Sequence, residues 1–124
     1  MDNFNNPNFL YVNNDIINKL NDEEIDYLYI EEFDYNLSIG DYNKEMKDNI
    51  ELYDINIIDN IEMISFKNKT INLYLYNVKL NTLKCKFKIN KLIIKNCVIN
   101  KIKLLNDNII NNIKNDEIIK IYKN

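Results

Sequence analysis

Arginine, histidine, tryptophan, alanine and glutamine are missing from this 124-residue chain, which has one glycine, one proline and two cysteines. Without histidine there is no imidazole to act as a general base or to hold a metal ion. Without arginine the bidentate readers of phosphate and guanine are lost, although lysine remains as a point charge. With only Gly40 and Pro7, tight turns need another residue that accepts a left-handed backbone, and asparagine does so. Cys85 and Cys97 follow an N-terminal stretch with no charged, apolar leader, so they are expected to be reduced core residues of a cytoplasmic, intracellular protein. No apolar run approaches the roughly 20 residues of a membrane helix, and no membrane association is expected. The paired acids Glu23-Glu24 and Glu31-Glu32 fit the solvated face of a helix, and no nucleophile has a visible base beside it. The expectation is a protein that is not an enzyme and carries no cofactor.

What is present is biased. Asparagine occurs 26 times, isoleucine 23 and lysine 16, all residues with AT-rich codons. An AT-rich genome, such as that of a virus, explains this usage, so lysine runs count for less than their number suggests. The net charge of −3 hides an asymmetry: residues 1–60 hold 15 acids and 3 lysines, whereas residues 61–105 hold 10 lysines and one acid, Glu62. Either the two halves neutralise each other within one fold, or one of them meets a charged partner.

From Ile61 onward the apolar residues recur in order. Leu73, Leu75 and Leu80 are followed by Leu83, Cys85 and Ile89, then Leu92, Ile94 and Ile99, then Ile102, Leu104 and Ile109. The steps between successive pairs alternate between nine and ten residues. Each L-x-L pair places two apolar side chains on one face of a strand. Asn68, Asn77, Asn96 and Asn106 fall at the polar positions between them, where they are expected to replace glycine at corners. This spacing suits an antiparallel meander. It also suits a solenoid of 19-residue coils with one strand on each of two faces, because Leu73, Leu75, Asn77, Leu80 and Leu83 then fall on Leu92, Ile94, Asn96, Ile99 and Ile102.

The stretch Ile89-x-x-Leu92-x-Ile94-x-x-Cys97-x-Ile99 resembles the core of a leucine-rich repeat, and Leu80-x-x-Leu83-x-Cys85 resembles its opening. The resemblance covers about residues 61–109, with coils slightly shorter than usual. It implies parallel strands and a protein-binding face made by the outward residues of the strands.

The first sixty residues show a helical pattern. Asn21 and Glu24 stand at capping-box distance, with Ile25, Leu28, Tyr29 and Phe33 at helical spacing behind them. A second helix is expected to carry Met46, Ile50 and Tyr53, and residues 15–20 a preceding turn. The expected fold is therefore α+β, a single domain over residues 1–124. In it an acidic helical cap (1–60) covers one end of the repeat region (61–109) and residues 110–124 cover the other. Asp34-x-Asn36-x-Ser38 with Glu45 at the twelfth position resembles a calcium loop, but Ile39 stands where glycine makes the turn, so no metal is expected. Leu20-Asn21-Asp22-Glu23-Glu24-Ile25-x-x-Leu28 resembles the opening of an F-box, which implies a ubiquitin-ligase adaptor.

If the apolar pairs face inward, the outward residues form two surfaces. Tyr74, Tyr76, Ile93 and Lys95 make one, and Ser65, Lys67, Lys84, Lys86, Lys103 and Leu105 make the other. Both are candidate protein-binding surfaces: the lysine surface, with Lys67, Lys84, Lys86 and Lys103, could take acidic protein or nucleic acid, and the tyrosine surface is the better candidate for binding another protein because tyrosines supply buried contact area. Lysines interleaved with tyrosines could instead hold single-stranded nucleic acid, a partner that the absence of arginine and the acidic first half disfavour. The function expected is a non-catalytic protein–protein interaction module, its partner and oligomeric state left open.

Overall fold

The computed structural model describes residues 8–19, 28–31, 36–39, 49–56, 59–64 and 70–122; for 18–19, 28–31, 36–39 and 64 it describes the backbone alone. The described chain is mostly β, with one short helix. The elements are β1 (Phe9–Val12), α1 (Asn14–Lys19), β2 (Leu28–Glu31), β3 (Asn36–Ile39), β4 (Asn49–Ile55), β5 (Asn60–Ile64), β6 (Thr70–Lys86), β7 (Lys88–Lys103) and β8 (Ile109–Ile121). A six-stranded mixed sheet runs β1-β4-β6-β7-β8, open at both ends, with β5 also on β6. β4 lies beside the first half of β6 and β5 beside its second half. β2 and β3 form a separate antiparallel pair, and β3 packs alongside β5.

The direction of pairing decides between the expected alternatives. β1–β4, β4–β6, β5–β6 and β6–β7 are all parallel, which rules out an antiparallel meander through the repeat. Among the described residues only β7–β8 and β2–β3 are antiparallel. The β6–β7 register joins Leu73 to Leu92, Leu75 to Ile94 and Leu83 to Ile102, the 19-residue offset legible in the apolar spacing.

The acidic helical cap is corrected where residues are described; Asn21, Glu24, Ile25, Phe33 and Met46 lie outside the described residues. Leu28–Glu31, placed in a helix by spacing, is strand β2, and Ile50 and Tyr53, placed in a second helix, lie in β4. In β4 the alternation of Ile50 and Leu52 with Glu51 and Tyr53 matches the strand period, and pairing with β6 on one side and β1 on the other provides the partner that a short helix would lack. Among the described residues the one α-helix, α1, is where a turn is expected. Asn13 caps it, its Oδ1 accepting from the Ile16 amide at 3.0 Å, and its Nδ2 donating to the Tyr53 hydroxyl at 2.9 Å, which ties the helix to β4.

The core holds most of the expected set, with additions; Leu104 is only half-buried and Ile109 is 48% exposed, on either side of the Leu105–Asp107 turn. Ile61, Ile71, Leu73, Leu75, Leu80, Leu83, Cys85, Ile89, Leu92, Ile94, Ile99 and Ile102 are buried, and Val12, Ile50, Leu52, Ile55 and Val78 join them from outside the template. Along β6 the buried residues fall into three runs, Ile71/Leu73/Leu75, Val78/Leu80 and Leu83/Cys85, where two per repeat are expected from spacing. Between runs the buried positions step by three, so the inward face is regained only if the backbone turns. The first turn is at Asn77, whose φ is 53°. Asn96 (51°) and Asn106 (62°) are likewise left-handed, as expected of asparagine standing in for glycine, and so is Asp54 (49°). Asn68 lies outside the described residues.

Asparagines also stack across the strands. Asn90 Nδ2 donates to Asn72 Oδ1 and Asn72 Nδ2 to Asn49 Oδ1, each at 3.0 Å, and Asn49 Nδ2 donates to the Asn8 carbonyl at 3.2 Å. A second ladder runs from Asn100 to Asn81 at 2.8 Å and on to Asn60 at 3.4 Å. Parallel pairing makes this possible by bringing asparagines of neighbouring strands within amide hydrogen-bond reach: Asn49 is in register with Asn72, Asn90 reaches Asn72 at a β-bulge, and Asn60, in register with Thr82, reaches Asn81 one residue away.

Candidate functional site

The outward surfaces are assembled by the parallel register. Tyr11, Glu51, Tyr74, Ile93 and Ile119 form one cross-strand row through β1, β4, β6, β7 and β8. Tyr53, Tyr76 and Lys95 form the next. The four residues assigned to the tyrosine surface, Tyr74, Tyr76, Ile93 and Lys95, are thus adjacent. Tyr76 is 39% and Ile119 58% exposed, Lys95 is exposed, and Tyr74 and Ile93 are half-buried.

Tyr74 is held by its neighbours. Its ring lies 5.2 Å from that of Phe9, which stacks on Tyr11 at 5.5 Å, and the Lys91 ammonium sits 5.7 Å from the Tyr74 centroid. Tyr11 meets Tyr53 edge to face at 6.3 Å. Burial, followed by the Asp54 charge, pushes the Tyr53 phenol above its ordinary pKa. Glu51 is buried within the first row.

The lysine surface is a separate row. Glu62, Lys84, Lys103 and Ile109 are in register across β5, β6, β7 and β8. Lys84 and Lys86 share the Glu62 carboxylate, at 3.5 and 3.4 Å. These pairs are exposed and contribute little stability, but they lower the positive potential of the row. Leu105 stands apart in a short 3-10 turn, Leu105–Asp107, and is 39% exposed. Ser65 and Lys67 lie outside the described residues, as does most of the calcium-loop and F-box-like stretches. Of these, Asn36 and Ser38 are in β3 and Leu28 begins β2.

Spacing within residues 61–105 missed Phe9, Tyr11, Tyr53 and Ile119. The signal was present as alternation in FLYV and NIELYDI, each with outward aromatics.

Among the described residues no group of three or more cysteines or acids is placed to hold a metal. Cys85 and Cys97 are free and buried. Burial pushes the Cys85 thiol well above its ordinary pKa and raises that of Cys97, where hydrogen bonds with the backbone at Val78, Lys95 and Asn77 offset part of the rise. Its Sγ donates to the Lys95 carbonyl at 3.1 Å. Two open clefts flank the Leu105–Asp107 turn, one lined by Phe87, Ile89, Leu104 and Tyr122, the other by Lys84, Lys86, Lys103 and Asp107.

Compared with known proteins, the chain matches no family model, no curated relative and no solved structure. The fold defines its class only as a mixed-sheet, mostly β protein with parallel asparagine ladders.

Proposed function

We propose that the chain is a short β-solenoid of leucine-rich-repeat character that acts as a non-catalytic protein-binding module through its tyrosine surface. Chain length supports the solenoid. Lys88, the first residue of β7, lies beside Thr70, the first of β6, yet only Phe87 separates the two strands. A straight strand of this length would carry the chain about 55 Å away, and parallel neighbours otherwise need a crossover of about a dozen residues. Turns at Asn77 and between Leu80 and Leu83 would bring the chain round instead, making each coil 19 residues.

The observation that carries the binding reading is the continuous outward patch of Tyr76, Ile93 and Ile119 beside Lys95. It joins an exposed aromatic and an exposed isoleucine across three strands, the composition of an interface centre. The lysine row is a weaker candidate for nucleic acid, because Glu62 already engages Lys84 and Lys86 and the tyrosines lie in other rows. The test is affinity capture with the wild-type chain, Tyr76→Ser and Lys86→Ser. Tyr76→Ser is expected to weaken a captured protein by about 30-fold, as for an aromatic hot spot, and Lys86→Ser to leave it unchanged. Capture of no protein, or equal loss with both variants, would overturn the reading. So would retention on single-stranded DNA that falls steeply with salt.

A further inference from the structure

We propose that two copies of this protein pair along β8 to form a two-fold dimer. β8 is the longer of the two sheet ends, 13 residues against four in β1, and among the described residues it pairs with β7 alone. Past its left-handed residues Asn112 and Asn115, residues 116–121 present backbone donors and acceptors in a row along the outer edge, a template for another strand. The end of the core is also incompletely covered there. Ile110, Ile118 and Tyr122 pack on the core but stay half-exposed. A repeat stack that ends this way needs something over its last layer.

The charge pattern of β8 selects a second copy as that occupant. Asp116, Ile118 and Lys120 share the face that looks toward the core, since they are in register with Cys97, Ile94 and Leu92. Antiparallel pairing about a two-fold axis at Ile118 sets Ile118 against Ile118 of the second copy. The same operation places Asp116 opposite Lys120 of the second copy, and Lys120 opposite its Asp116. Charges on an edge strand ordinarily block pairing; here opposite signs at equal distances on either side of Ile118 favour one isologous register. The dimer leaves Tyr76 and Lys95, two strands and one strand from this edge, open for another protein.

The experiment is sedimentation equilibrium of the full 124-residue chain under reducing conditions, with Asp116→Lys, Lys120→Asp and the double reversal. At about 100 μM the wild type, with a micromolar Kd, is expected to show about twice the monomer mass of 14.9 kDa. Each single variant puts like charges together at both symmetric sites and is expected to weaken the dimer at least about tenfold. The double reversal re-forms both pairs and is expected to restore it, a rescue that general damage to the fold would not produce. A monomeric wild type, single variants as dimeric as wild type, or a double variant that is folded by circular dichroism yet monomeric would each overturn the proposal.

Discussion

Substitution of Asn77 separates the two roles that asparagine plays in this fold. Asn77 holds φ at 53° and its Nδ2 donates to Asp54 Oδ1 at 2.7 Å. Both side chains are exposed, so losing that hydrogen bond costs about 0.5–1.5 kcal/mol. A β-branched residue in the left-handed region adds about 1–2 kcal/mol. Asn77→Val is therefore expected to destabilise by about 2–3 kcal/mol. Asn77→Gly loses the same hydrogen bond but suits the corner, so about 1–1.5 kcal/mol is expected, part of it from greater freedom of the unfolded chain. Asn81→Val is the control, because Asn81 has side-chain bonds to Asn60 and Asn100 but no left-handed backbone. Valine there loses two such bonds but gains up to about 1 kcal/mol of strand propensity, so a loss of at most about 2 kcal/mol is expected. Urea unfolding followed by far-ultraviolet circular dichroism reads the differences. With a slope of roughly 1.5 kcal/mol/M, the valine and glycine variants of Asn77 should differ in midpoint by about 0.5–1 M. If they unfold together, or if Asn81→Val is the least stable of the three, the corner argument is wrong.

Leu92 is fully buried and in register with Leu73, so Leu92→Ala is expected to cost about 2–5 kcal/mol in the same unfolding measurement. Cys85 and Cys97, buried and with raised pKa values, should react with a thiol reagent at least about a hundredfold more slowly in the folded chain than in urea, since the thiolate is the nucleophile. The same shifts set an alkaline limit. Both thiols and the Tyr53 and Tyr122 phenols have folded pKa values above their unfolded ones, 9.0 for Cys and 10.0 for Tyr. The stability linked to their neutral forms is full below about pH 9 and is lost as pH rises beyond it. Melting temperature should therefore fall between about pH 9 and 11, and less so in Cys85→Val; a flat profile would show that burial does not hold these groups neutral.

The strands of the repeat, most of their apolar pairs, the 19-residue offset and the left-handed backbone at Asn77 and Asn96 were legible in the sequence. These depend on local properties: side chains alternate with period two, and asparagine tolerates a left-handed backbone. The candidate surface was legible in part for the same reason, since Tyr74 and Ile93 share an offset with Leu73 and Leu92. Its wider extent was not, because Tyr11 and Ile119 reach the patch only through pairing with strands 40 and 26 residues away along the chain. Parallel direction, the asparagine ladders and the open antiparallel β8 were decided by tertiary structure alone. Strand pairing joins residues distant in sequence, and alternation within a strand is the same whichever way its neighbour runs. The first half shows the limit most clearly. Leu28 and Tyr29, or Ile50 and Tyr53, fit one turn of a helix as well as a short strand, and it was the sheet partner, supplied by β3, β1 or β6, that chose the strand.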